Sequence, residues 1–290
     1  MLGSLNFQQT LKKPNNPANE GKRMELNADK IEIQKQWDKD PCGASTASEQ
    51  TPGTLDFYRA VRDYRYNVYA PWFDQVVRFE EWQDKDVLEI GVGLGSDHFR
   101  FARGGNRMNA LDLSQEHLRQ TQRHLELEGL TTTPVYGDAE KMPFADESFD
   151  LVYVFGVLHH TPDTEAAVAE IHRILRPGGV ALISLYHRYS YFLLWVILRN
   201  GLLLGGFWRK GWRRLLSEIE YRSDLDSAVP LVKVYSRRQA NRLFSQFSQV
   251  DITTCHISLG RFQRLLPVSR SLIERLFGWL GWYLVIRAYK

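Results

Sequence analysis

The stretch Val87-Leu88-Glu89-Ile90-Gly91-Val92-Gly93-Leu94-Gly95-Ser96 decides how this chain is read. A short apolar run predicts a buried strand over 86–90, and three glycines follow it at every second position. Glycine lets the chain turn sharply and lets a ligand approach the peptide groups without meeting a Cβ. A helix starting at Ser96 or Asp97 aims its unpaired N–H groups into the same space. On its own, such a loop is compatible with several nucleotides.

Outward from the loop, strand and helix signals alternate, which predicts a parallel sheet covered by helices. The second strand covers 107–111 and ends at Asp112, before a helix over 114–127; the third covers 133–136 and runs into Gly137-Asp138-Ala139-Glu140. The fourth, 149–155, is a nearly unbroken apolar run, as expected when both sheet faces are covered. A helix over 164–175 stops at Arg176-Pro177-Gly178-Gly179, and the fifth strand covers 180–185. Ligands of open α/β sheets bind outside the carboxyl ends of the strands, which gathers Glu89, the glycines, Asp112, Asp138 and residues 156–160 on one edge. Asp112, twenty-one positions after Gly91, suits a carboxylate that accepts from two ribose hydroxyls, and Asp138 is placed to accept from an adenine amine. The spacing is G-x-G-x-G rather than G-x-G-x-x-G, Ser96 stands where a third fingerprint glycine would be, and the loop lacks a basic residue for a pyrophosphate. The expected ligand is an adenosine whose other end is not a phosphate chain.

These motifs resemble the class I S-adenosylmethionine-dependent methyltransferases, in particular the small-molecule, quinone-biosynthesis-like branch termed methyltransferase type 11. The resemblance runs unbroken over 85–187, through Leu111-Asp112-Leu113-Ser114, Lys141-Met142-Pro143-Phe144, Ser148-Phe149-Asp150, Val157-Leu158-His159-His160-Thr161-Pro162-Asp163 and Leu175-Arg176-Pro177-Gly178-Gly179. It implies a Rossmann-like, seven-stranded, mostly parallel α/β sheet whose last strand is antiparallel, with 249–257 and 282–289 as strands six and seven. It also implies S-adenosyl-L-methionine as cofactor. Glu89, Gly91, Gly93 and Gly95 would hold its methionine part and Asp112, with Leu113, its ribose; Asp138 and Ala139 would frame the adenine, with Phe155 and Gly156 beside the cofactor. Asp150 reads as a brace for strand four, outside the site.

Methyl transfer from a sulfonium asks for alignment and a way to remove the acceptor's proton. His159 and His160 stand where that acceptor would lie, as catalytic bases or as braces of the loop. Tyr186, His187 and Tyr66 are candidates for the acceptor pocket. No metal-ligand cluster is evident. Strand four is followed by Phe155-Gly156-Val157-Leu158 rather than an N-P-P-Y tetrapeptide, which argues against a nucleic-acid or protein substrate. A non-catalytic S-adenosylmethionine-binding regulator or scaffold is the alternative from another class.

Composition bounds the rest. The chain has 290 residues, 43% hydrophobic and 24% charged, with a net charge of +3, so one domain with an insertion is expected and no strong field for nucleic acid. Cys42 and Cys255 have no metal-ligand spacing and read as reduced thiols of a cytoplasmic protein; the first residues lack the apolar core of a signal peptide. Residues 1–30 read as a disordered tail, 31–80 as an aromatic-rich helical lid, and 81–290 as the methyltransferase domain, with a helical cap inserted over 186–232. The insertion's apolar run, flanked by Trp and Arg, is too short to span a bilayer, which needs about 20 residues. It suits a cap over a lipophilic acceptor (quinone, isoprenoid, lipid or natural product), a peripheral membrane contact, or a homodimer interface.

Overall fold

The computed structural model describes residues 27–39, 41–203, 205–217, 219, 231–257 and 270–290. Seven strands form one sheet: β1 (Asp86–Ile90), β2 (Arg107–Asp112), β3 (Thr133–Tyr136), β4 (Phe149–Val154), β5 (Leu175–Tyr186), β6 (Gln249–Cys255) and β7 (Tyr283–Tyr289). Their order is β3-β2-β1-β4-β5-β7-β6, with β7 antiparallel to both neighbours and the other pairs parallel. The order reverses between β1 and β4, so a crevice opens beyond their carboxyl ends.

The helices are α1 (Ala28–Lys39), α2 (Leu55–Tyr64), α3 (Phe73–Val77), α4 (Ser96–Arg103), α5 (Gln115–Leu127), α6 (Thr164–Ile174), α7 (Tyr191–Val196), α8 (Gly206–Ser217), α9 (Arg237–Leu243) and α10 (Arg270–Phe277). Their starts follow from local chemistry. Ser114 and Asp163 accept from the third residue on, capping α5 and α6, and Ser236 with Gln239 closes a capping box on α9. α4 has no side-chain cap: Gly95 takes a left-handed conformation there (φ 74°) and leaves the first amides to the crevice.

Alternation along the strands builds two cores. Tyr153 of β4, Leu182 of β5 and Val285 of β7 face one layer; Val152, Ile183 and Ile286, one residue away, face the other. The strong covering on both faces explains why β4 reads as a continuous apolar run.

The structure moves several expected boundaries. β5 begins at Leu175, because Phe149 already pairs with Leu175 ahead of a register shift; the Arg-Pro-Gly-Gly stretch is inside the strand rather than a turn before it. α1 starts at Ala28, so the predicted tail ends earlier than residue 30; residues 1–26 lie outside the described residues. The aromatic segment divides into α1, α2, a π-helical turn over Arg65–Tyr69, and α3. The insertion leaves β5 as α7, a second π turn (Ile197–Leu203) and α8, and the chain returns through Leu231–Tyr235.

Candidate functional site

A cavity of about 210 Å³ lies beyond the ends of β1, β2 and β4, and a neighbouring one of about 320 Å³ shares Gly91, Gly93, Arg65, Tyr69 and Phe155 with it. Together they form one cleft. Gly91, Gly93, Asp112, Leu113, Asp138, Ala139, Phe155 and Gly156 line its first part, and Glu89 lines the second. The glycine turn is enforced: Gly91 has φ 77°, and a Cβ there would stand 2.1 Å from Val157 Cγ2. Gly93, at φ 54°, faces open space, so its peptide is bare toward the cleft. Gly95 serves the α4 turn instead, where a Cβ would press on Thr121.

α1 lies against the edge formed by the ends of β2 and β3. Lys30 Nζ donates to Asp138 Oδ2 at 2.5 Å and also reaches Glu140; Gln34 donates to the Leu113 carbonyl at 2.7 Å, and Ser114 Oγ donates to Asp38. Burial works against the Lys30 charge, but its two carboxylate partners outweigh it and raise its pKa. Asp112 accepts from the Ser114 amide at 2.8 Å and meets His117 Nδ1 at 3.2 Å, while His117 Nε2 meets the Trp37 carbonyl at 3.1 Å. Both partners of His117 can only accept, so both its nitrogens donate. Burial opposes this charge; Asp112 overcomes it and raises the His117 pKa.

Behind the glycines lie buried carboxylates, Asp97 and Glu89, with Arg65 reaching Asp97 from the cleft wall. Asp97 accepts from Arg65 Nε at 2.7 Å and Nη2 at 2.5 Å, from Tyr66 at 2.6 Å and from Tyr153 at 2.8 Å. Burial would raise its pKa, but Arg65 and the two phenols hold it below the usual carboxylate range. Glu89 pairs with His98 at 2.9 Å. Burial, then the Asp97 charge, pushes Glu89 well above the usual range, and burial takes His98 down to about 3. Burial thus disfavours the charged form of both partners.

The predicted chemistry residues separate into two groups. His160 and Tyr186 line the cleft, together with Trp37, Tyr69 and Tyr283. His160 Nδ1 donates to the Leu231 carbonyl at 2.7 Å, which leaves the lone pair on Nε2. His159, His187 and Tyr66 are not among the lining residues. His159 is fully buried and stacked on Tyr186, with ring centroids 3.5 Å apart, and burial holds its pKa well below the ordinary value. His187 Nδ1 meets the Gly281 carbonyl at 3.1 Å, and Tyr66 serves Asp97. Asp150 accepts from the Asp86 amide at 2.8 Å and pairs with Arg176, bracing the start of β4.

Lys30, Arg65, Asp97, His98, His117 and the returning segment at Leu231 were absent from the expected site. No local motif marks Lys30, whose partners are over a hundred residues away. Asp97 carries one faint signal, an acid in the first turn of the helix after the glycines. Among the described residues, no group of three His, Cys, Asp or Glu side chains is arranged to hold a metal ion.

Comparison with known proteins agrees with this geometry. The family model described as a methyltransferase domain matches residues 88–183. A malonyl-[acyl-carrier protein] O-methyltransferase of Erwinia billingiae is 41% identical over 106 residues, covering 35% of this chain and 39% of that one. A phthiotriol/phenolphthiotriol dimycocerosates methyltransferase of Mycobacterium ulcerans is 33% identical over 140 residues, covering 48% and 51%. The chain thus spans about half the length, or less, of these curated relatives. Among solved structures, an S-adenosylmethionine-dependent methyltransferase from Methanosarcina mazei superposes with a TM-score of 0.53 at 17% identity, covering 74% of this chain and 96% of the other. Residues 88–183 thus match the methyltransferase-domain family model, and the sheet around them has the fold seen in that S-adenosylmethionine-dependent methyltransferase structure.

Proposed function

We propose that this chain binds S-adenosylmethionine and transfers its methyl group to a carbon or oxygen of a small lipophilic acceptor. The observation that carries this reading is the convergence of Gly91, Gly93, Asp112, Leu113, Asp138, Ala139, Phe155 and Gly156 on one cleft at the reversal of strand order. The bare glycine turn admits a cofactor against its backbone, and the donor set is acidic where ribose and adenine donors would need acceptors. Gly91 and Gly93, with Glu89 beside them, would hold the methionine end; Asp112 would take the ribose hydroxyls, and Asp138 with Ala139 the adenine. When bound, this group supplies a methyl carbon already activated on a sulfonium.

The chain's own task is then to seat the acceptor and take its proton. Trp37, Tyr69, Tyr186 and Tyr283 give the remaining cleft an aromatic wall, suited to an apolar acceptor. His160 presents Nε2 as the proton acceptor, its tautomer set by Leu231, while His159 fixes Tyr186 from behind. Two of the relatives are named as methyltransferases of malonyl-[acyl-carrier protein] and of phthiotriol/phenolphthiotriol dimycocerosates, neither a nucleic acid.

Calorimetry with S-adenosylmethionine and with its demethylated product tests the cofactor site. Both are expected to bind, and Asp112→Ala should weaken binding about 10- to 100-fold, the loss of hydrogen bonds to a charged acceptor. Absence of binding by either compound would refute the reading. His160→Ala should lower turnover while leaving cofactor affinity within about twofold.

A further inference from the structure

We propose that the outer face of the insertion, formed by α7, the π turn after it and α8, docks on the surface of an anionic phospholipid bilayer. The proposal concerns a surface rather than the cleft. Only its consequence, delivery of the acceptor from the lipid phase, rests on the function proposed above.

Three observations carry it. First, the insertion is apolar on the outside. Leu193 and Val196 pack inward, whereas Leu194, Trp195 and Leu198 are about half exposed, and Leu203 and Trp208 are 81% and 77% exposed. The spacing of Leu194, Trp195 and Leu198 keeps these three on the side opposite Leu193 and Val196. Exposed apolar surface on this scale needs a partner.

Second, the charge is one-sided. From Arg188 to Ser217 the sequence has five arginines, one lysine and no acidic residue, in a chain whose net charge is only +3. Arg213 is paired with Asp29 of α1; Arg199 and Arg214 are exposed. Tryptophan and leucine interleaved with cations match the depth profile of a lipid headgroup region. A second copy docked on the same face by a two-fold axis would set these cations against their own images, whereas anionic lipid compensates them. Among the described residues, no helix is long and apolar enough to cross a membrane, so the face lies in the interface.

Third, the insertion is rooted at the cleft. The insertion leaves β5 at Tyr186, a wall of the cleft, and Phe192 of α7 packs edge-on against Trp282, ring centroids 4.9 Å apart. Because β7 is antiparallel to β5, the exposed Leu276, Phe277 and Trp279 just before it fall on the same sheet edge. An acceptor dissolved in the bilayer would therefore reach the aromatic wall without crossing bulk water.

The test is co-sedimentation of the full chain, without cofactor or acceptor, with vesicles of phosphatidylcholine alone and of phosphatidylcholine mixed with phosphatidylglycerol. Partitioning should be at least about tenfold stronger on the anionic vesicles and should fall with added salt. Trp195→Asp with Leu203→Asp and Trp208→Asp should lose at least about tenfold, with an unchanged circular dichroism melting curve and unchanged affinity for S-adenosylmethionine. Should that triple variant fail to fold, Arg199→Glu with Arg214→Glu, both at exposed positions, should give a loss of the same order. No recovery with anionic vesicles, or equal recovery with both kinds, overturns the proposal. So does a concentration-dependent dimer that the triple variant dissociates. Lipid binding is read independently of calorimetry, so either conclusion can fail alone.

Discussion

Replacing Asp97 by Asn should cost a large part of the folding free energy. The substitution keeps the shape and removes the charge. Four donors meet this carboxylate within 2.8 Å: two nitrogens of Arg65 and the hydroxyls of Tyr66 and Tyr153. An amide offers one acceptor oxygen and turns a donor toward the remaining groups, so the largely buried Arg65 guanidinium loses its counter-charge. Breaking one member of a buried pair typically costs about 3–5 kcal/mol. For a chain of this length each kcal/mol lowers the melting midpoint by about 2–4 °C, giving a drop of about 6–20 °C.

Thermal unfolding followed by circular dichroism, with urea unfolding beside it, measures the loss. Arg65→Met alone should also destabilise, and the double variant should lose less than the sum, with a coupling of about 1–3 kcal/mol. Arg78→Gln is the control, because Arg78 pairs with Glu81 where both side chains are about half exposed. It should cost under about 1 kcal/mol. If Asp97→Asn stays within about 1 kcal/mol of the parent, or the two single costs simply add, the buried pair does not hold this part of the structure together and the reasoning fails.

Acid should destabilise the protein well before ordinary carboxylates titrate. His98 and His124 are lowered by burial to about 3 and about 4, and His159 is lowered further below its ordinary value, so the unfolded chain binds protons first as pH falls through about 6.5. Glu89 and His117, both raised in the folded state, offset part of this loss, so the fall in stability from pH 7 to 5.5 should be steeper in Glu89→Gln. Urea unfolding at the two pH values checks this, and a flat or rising profile would contradict it. Lys30→Ala should free α1 from Asp138 and Glu140, increasing proteolysis near residue 30 by about 5- to 30-fold and speeding cofactor release; unchanged cleavage and release rates would show that α1 is held by other contacts.

The half of the cleft that would hold the cofactor was legible because its chemistry is local. Gly91 must turn, Asp112 ends a strand, and Asp138 follows the next, so each is announced by its neighbours in sequence. The start of β5 was misread for the opposite reason. Arg176-Pro177-Gly178-Gly179 looks like a turn, yet the pairing of Leu175 with Phe149 draws it into the sheet. Lys30, the Arg65–Asp97 pair and the Leu231 carbonyl were invisible because each acts on a partner that only the fold brings near. The paired histidines show the same limit: adjacent in sequence, one faces the cleft and the other is stacked behind it.

The return of the chain through Leu231–Tyr235 gives the insertion a stiff root. The Lys233 amide donates to the His159 carbonyl, Tyr235 exchanges bonds with Tyr186 and Arg188, all at 2.8 Å, and Leu231 holds His160. These bonds join the outgoing and incoming limbs to one another and to the imidazole loop. The orientation of the His160 ring is thus set by the same short segment that closes the insertion onto the sheet.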